Sequence, residues 1–176
     1  MRNVIKGLLP VILLSTVLTA SGVAQTLDEK LKILMPLIGH SWEGHFQDTS
    51  GEARPTIAMS LEPMLEGKAV RLVSGGSGMT RENIYYWDPE KKHICFVALT
   101  SNGWVSTGIA YAEGSIIVTI GRQVGPDGTE REAKNTWEPT LDGKIVARGY
   151  SKEIDDWKPG HIIVFVAKPP EPSNKE

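Results

Sequence analysis

The sequence predicts an all-β protein, an antiparallel up-and-down barrel of about ten strands with one short helix before the first strand. Three observations lead there. Short segments rich in Val, Ile, Thr, Tyr and Trp recur from Ser41 to Lys168. Turn signals separate them, among them Glu66-Gly67, Asp88-Pro89, Asn102-Gly103, Glu113-Gly114, Asp127-Gly128 and Asp142-Gly143, pairs that favour tight reversals because Gly, Asn and Asp tolerate turn geometries. No second helical stretch is long enough for a parallel crossover, so the sheet is expected to be antiparallel.

In chain order, Met1 to Lys6 carries a positive charge, Gly7 to Ala20 is apolar, and Ser21-Gly22-Val23-Ala24 offers small residues before Gln25. These are the three regions of a signal peptide. Residues 1–24 are therefore expected to be removed, residues 25–168 to form the barrel domain in the periplasm or outside the cell, and the polar, proline-rich residues 169–176 to be a disordered tail. A membrane anchor would need about 20 apolar residues, and the apolar run is shorter and interrupted by Pro10. No membrane span is expected after removal of the leader.

Leu27, Leu31, Leu34 and Ile38 step by four, three and four, which is one face of a helix. Thr26 is a suitable N-cap and Asp28 and Glu29 suit the first turn. Pro36 removes a hydrogen-bond donor, so distortion or termination is expected near Met35, with Gly39 completing the exit. Trp42, Gly44 and Phe46 then share one face of the first strand, with Glu43 and His45 on the other. A large aromatic there, just after a one-faced helix, is placed to plug a barrel end.

Ten strands are expected near 41–48, 55–64, 68–75, 81–88, 93–101, 103–112, 115–123, 129–138, 144–153 and 161–168. If Asn102-Gly103 and Glu113-Gly114 are two-residue turns, one face collects Ile94, Phe96, Ala98, Thr100, Val105, Thr107, Ile109, Tyr111, Ile116, Val118 and Ile120. Being the bulkier and more apolar face, it is assigned to the interior. Tyr85, Tyr86 and Trp87 stay unassigned.

Composition narrows function mainly by exclusion. The chain has 176 residues, 40% hydrophobic and 23% charged, enough for one domain with its own core. Without Arg2 and Lys6 the 19 basic residues become 17 against 21 acidic ones, a net charge of −4. That mild acidity argues against nucleic acid as partner. Cys95 is the single cysteine, so no intramolecular disulfide can form, and it reads as a small buried hydrophobe. His40, Glu43 and His45 lack the spacing of zinc-protease motifs, and no metal site is inferred. Ser74-Gly75-Gly76-Ser77-Gly78 has phosphate-loop composition without the helix that would follow, so it reads as an inter-strand loop near a barrel mouth. No motif specifies a catalytic residue, although catalytic groups can converge in space.

The run Leu37 to Phe46, the stretch Asn83-Ile84-Tyr85-Tyr86-Trp87-Asp88, Asn102-Gly103 with Thr107-Gly108, and Asp142-Gly143 resemble exported bacterial proteins of the lipocalin-like (calycin) type. The resemblance implies a closed or nearly closed barrel with a small apolar ligand in its lumen. Two residues separate Gly39 from Trp42, where lipocalins have Gly-x-Trp. A more distant resemblance is to nitrobindins, haem-binding barrels with a Gly-x-Trp-x-Gly start and a C-terminal axial histidine. Trp42 and Gly44 match part of that start, and His161 is the comparable histidine. No cofactor is inferred.

The expected function is binding of a small apolar or amphipathic molecule in the lumen. Trp42, Phe96, Thr107, Ile109, Tyr111 and His161 are the candidate contacts, Thr107 and Tyr111 supplying hydroxyls on an apolar wall. Two alternatives use the same barrel: an enzyme acting through scattered carboxylates and His161, and an interaction module with a filled interior and an exposed patch around Trp104 and Trp157.

Overall fold

In a computed structural model that describes residues 26–47, 55–76 and 78–169, ten antiparallel strands close into a single up-and-down barrel. They are β1 (Ser41–Phe46), β2 (Ile57–Met64), β3 (Ala69–Gly76), β4 (Met79–Asp88), β5 (His93–Thr100), β6 (Val105–Glu113), β7 (Ile116–Val124), β8 (Glu130–Pro139), β9 (Ile145–Glu153) and β10 (Asp156–Ala167). Each strand pairs with its neighbours in sequence, and β1 pairs with β10 to close the cylinder, so no sheet edge is left open. The expected signal peptide and cleavage site, and residues 170–176 of the expected tail, lie outside the described residues. Among the described residues no helix is long and apolar enough to cross a membrane.

The helix before β1 is a 3₁₀ helix over Glu29–Leu37, capped by the Asp28 carboxylate, which accepts from the Lys30 N–H at 3.0 Å. The expected cap, Thr26, lies two residues too early. Leu31, Leu34 and Leu37 are its buried residues. Three residues per turn eclipses side chains at a spacing of three, so the 3₁₀ form stacks these leucines in one stripe and moves Ile38 off it. Pro36 sits inside the helix.

This stripe closes one end of the barrel. The Asp28 N–H donates to the Gly67 carbonyl at 3.0 Å in the β2–β3 connection, Lys68 reaches the Asp28 carboxylate at 2.9 Å, and the Lys30 ammonium sits 5.2 Å over the Trp87 ring. Trp42 is 3% exposed, and its indole N–H donates to the Leu37 carbonyl at 2.9 Å. The bond satisfies a carbonyl that the end of the helix would otherwise orphan. Trp42 thus plugs the closed end, packed in one core with the three leucines, Val70, Ile94, Ile145 and Phe165.

The cross-strand registers carry the facing of each strand around the cylinder. From Trp42 and Gly44 in β1 the buried row continues through Met59 and Leu61, then Val70 and Leu72, then Asn83 and Tyr85, to Phe96 and Ala98. Of the residues without an expected side, Tyr85 and Trp87 face inward and Tyr86 outward. Ile94, Phe96, Ala98 and Thr100 face inward as expected.

At the β5–β6 connection the expectation is overturned. The Thr100 N–H donates to the Trp104 carbonyl at 3.0 Å, the Trp104 N–H donates to the Thr100 hydroxyl at 2.9 Å, and Leu99 stands opposite Val105. The loop is therefore longer than the two residues Asn102-Gly103, and the partner of each β5 residue shifts by one. A shift of one inverts a strand. Ser106, Gly108 and Ala110 face inward, and Val105, Thr107, Ile109 and Tyr111 face outward. The β6–β7 hairpin closes with Glu113 opposite Ile116, which preserves parity, so β7 is inverted with β6. Ile117, Thr119 and Gly121 point in, while Ile116, Val118 and Ile120 point out.

The physical reason lies in Gly108 and Gly121, which stand directly opposite each other. A Cβ on Gly108 would lie 2.8 Å from Phe96 and 2.1 Å from the Ile120 carbonyl oxygen. Two bare backbones leave the space that the Phe96 ring fills, so small residues mark the inside here and bulky ones the outside.

β10 begins at Asp156, five residues before the expected start. Pro159 pairs with Tyr150, and the register shifts between Pro159 and Ile162, which is how a strand accommodates a proline.

Candidate functional site in the open half of the lumen

The barrel interior is divided along its axis. Toward the helix it is filled by leucines and aromatic rings. Toward the β3–β4, β5–β6, β7–β8 and β9–β10 turns the inward positions become polar, and a cavity of about 320 Å³ opens among Arg81, Thr100, Trp104, Ser106, Gln123, Arg131, Asn135 and His161. That volume is on the order of ten water molecules.

Strand β4 supplies Arg81 to this lining and, buried beneath it, the two side chains that hold it. Arg81, Asn83 and Tyr85 alternate with Glu82 and Ile84, so all three point inward. The Arg81 Nε–H donates to the Asn83 carbonyl at 2.9 Å, and the Asn83 amide donates to the Tyr85 hydroxyl at 3.1 Å. Asn83 and Tyr85 are each 3% exposed. Burial pushes the Arg81 guanidinium's pKa down and the Tyr85 phenol's up, because both charged forms lose hydration. The phenol therefore stays protonated and keeps a proton to donate.

Across β5 and β6 the Asn83 row continues through Ala98 to Ser106. Ser106 is buried, and its hydroxyl has no hydrogen-bond partner among the described residues. Further round, the Asn135 amide reaches the Thr119 hydroxyl at 3.4 Å. At the rim Arg131 donates to the Gln123 carbonyl at 2.7 Å and lies 4.3 Å over the Trp104 ring, a stacked guanidinium at the mouth.

His161 enters from β10. Its ring lies against Gly149, where a Cβ would come within 2.5 Å of it, and meets Phe46 edge-on at 6.1 Å. A residue with any side chain at position 149 would displace the imidazole from the wall.

Of the six contacts predicted from sequence, the structure brings Trp42 and Phe96 to the interior, sets the exposed His161 at the mouth of the cavity and leaves Thr107, Ile109 and Tyr111 on the outer face. Only His161 lines the cavity. Trp42 belongs to the closed end, and Phe96 packs over Gly108 and Gly121. Thr107 is exposed on the barrel wall. Sequence reasoning missed Arg81, Asn83, Ser106, Gln123, Arg131 and Asn135. A signal for the first two existed in the period-two pattern Arg81-x-Asn83-x-Tyr85, which places polar groups beside an aromatic on one face.

The outer wall carries the carboxylates. Arg71 pairs with Glu82 at 2.8 Å and with Glu62 at 3.3 Å, Arg148 with Glu138 at 2.6 Å, Lys152 with Glu132 at 2.7 Å, and Arg122 with Glu130. A larger hollow of about 750 Å³ is lined by consecutive residues of both parities, Ala58 to Ser60 and Val73 to Gly75, with Lys168 beside it. It is a feature of the wall, and its one cation already meets Glu43 at 3.1 Å.

No protein-family model matches the chain, and no curated protein matches it in sequence.

Proposed function

We propose that the protein is a lipocalin-like container that binds a small amphipathic molecule in the open half of its lumen. One observation carries this reading: the helix half is packed solid, whereas the open half keeps a 320 Å³ cavity whose wall includes a buried Ser106 hydroxyl without a partner among the described residues. A hollow serving only stability would be filled or apolar, because each buried polar group left unsatisfied costs about 1–3 kcal/mol. Apolar rings with a few directed polar groups are the composition of ligand pockets. On this reading Trp104 and Met79 receive the apolar part of the ligand, and Arg81 and Ser106 receive the rest. The signal-peptide character of residues 1–24 supports action in the periplasm or outside the cell.

The test is binding of N-phenyl-1-naphthylamine, a neutral apolar fluorophore, to the protein without its leader. Ala133→Trp places an indole on an inward, cavity-lining position and should abolish the fluorescence rise. Thr107→Trp, on the outer wall, should leave it intact. Binding that survives Ala133→Trp, or no saturable binding by the unmodified protein, refutes the lumen as a ligand site.

A further inference from the structure

We infer that Arg81 anchors the carboxylate of a small organic acid bound in this lumen, an inference that rests on the container reading above and names what the container takes. The guanidinium is held from one side only. Its Nε–H is committed to Asn83, which is in turn fixed by Tyr85, while its two terminal nitrogens bond to no described residue. This leaves a planar fork of donors, oriented by a buried chain of side chains, and such a fork matches the two oxygens of a carboxylate.

Charge distribution makes the same point independently. The inward positions of the described strands carry Arg81, Arg131, His161 and, at the exposed start of β10 opposite Ser151, Lys158. The acidic residues of inward parity are Glu153 and its partner Asp156, both exposed at the β9–β10 turn, away from Arg81. Every carboxylate paired with an arginine among the described residues sits on the outer wall. A half-buried guanidinium without a counter-ion among the described residues costs stability, so the fold carries this group at a loss that a bound anion would recover.

The neighbouring groups are donors too. The Ser106 hydroxyl lines the cavity and is unpartnered among the described residues, and the Thr100 hydroxyl stands on the same lining. One deep cation with neutral donors suits a monoanion. A phosphate monoester, with a charge near −2 at neutral pH, would call for a second buried cation, and Arg131 is exposed at the rim. Its place there suits attraction of an anion toward the mouth.

Isothermal titration of the leaderless protein with 3-phenylpropanoate and with its neutral isostere 3-phenylpropanamide tests the inference, alongside displacement of N-phenyl-1-naphthylamine by each. The acid should bind at least about tenfold more tightly than the amide, the scale of one charge-assisted pair. Arg81→Met should erase that preference while the unliganded melting temperature stays level or rises, which a merely structural arginine would not allow. Arg81→Lys, keeping charge without the fork, should retain part of it. Should Arg81→Met fail to fold, the acid–amide comparison and Arg81→Lys still decide.

Equal binding of acid and amide, with the fluorophore still bound, overturns the anchor and leaves the container standing. Absence of binding by fluorophore and acid alike overturns both. Tighter, Arg81-dependent binding of phenyl phosphate would overturn the carboxylate assignment.

Discussion

Replacing Trp42 with Ala removes the plug of the closed end, and the structure sets the size of the loss. The side chain is 3% exposed in the core formed with Leu31, Leu34, Leu37 and Phe165, and truncation of such an aromatic costs about 3–5 kcal/mol. The value should fall in the upper half of that range. The indole N–H also satisfies the Leu37 carbonyl at 2.9 Å, and an unmet buried carbonyl adds roughly 1–3 kcal/mol. Trp42→Phe separates the two contributions, since it retains most of the ring and loses the bond, and should cost only about 1–2 kcal/mol. Urea unfolding followed by circular dichroism at neutral pH measures both, and m should be unchanged if the denatured state is the same. A loss below about 1 kcal/mol for Trp42→Ala would place the side chain at the surface. Equal losses for the two variants would mean that the hydrogen bond, and not the ring, holds the helix on the barrel.

Gly108→Val forces a side chain between Phe96 and the Ile120 carbonyl and should destabilise by about 3 kcal/mol or more, at or beyond the usual range for overpacking, as measured by thermal melting. Thr107→Trp, on the outer wall, should shift stability by less than about 0.5 kcal/mol; a large loss would return Thr107 to the interior. Asp28 has its carboxyl held below the usual 3.8 by the Lys30 N–H and the Lys68 ammonium, so its folded pKa is depressed. Its contribution is present above the unfolded pKa and lost as the pH falls through the folded value, and Asp28→Asn should lower stability at pH 7 but not at pH 2 in urea melts. Edman sequencing of the exported native protein should begin at or near Gln25; recovery of an intact leader in the membrane fraction would refute the signal peptide.

The strands were legible in the sequence because period-two alternation and Gly-containing turns are local properties. Burial of Trp42 followed from a one-faced helix running into a strand that opens with a large aromatic. The facing of β6 and β7 was not legible, because it depends on whether the Thr100 hydroxyl recruits the Trp104 backbone into a longer loop, a choice that Asn102-Gly103 alone does not reveal. Bulk misled for a related reason. In a closed barrel the number of strands sets the width of the lumen, and Phe96 can lie across it only where the facing strands carry Gly108 and Gly121. The polar row on β4 was hidden by an ordinary-looking Arg-Glu-Asn run, in which Glu82 suggests a solvated surface until its pairing with Arg71 places it on the wall.

Glu82 and Arg81 are adjacent in sequence and opposite in fate, and the difference bears on how the lumen keeps its charge. The Arg71 guanidinium holds the Glu82 carboxyl below its ordinary pKa on the outer surface, where water screens the pair and it adds little to stability. The effect on the inside is larger. With Glu82 bound outward to Arg71, and Glu130 and Glu132 to Arg122 and Lys152, the carboxylates flanking Arg81 and Arg131 are engaged on the outer wall. The lumen thus stays cationic in a chain whose overall charge is negative, and in a narrow, low-dielectric cylinder that separation concentrates the field along the axis toward the mouth. Outer-wall pairs that contribute little to folding would then matter through what they keep out of the cavity.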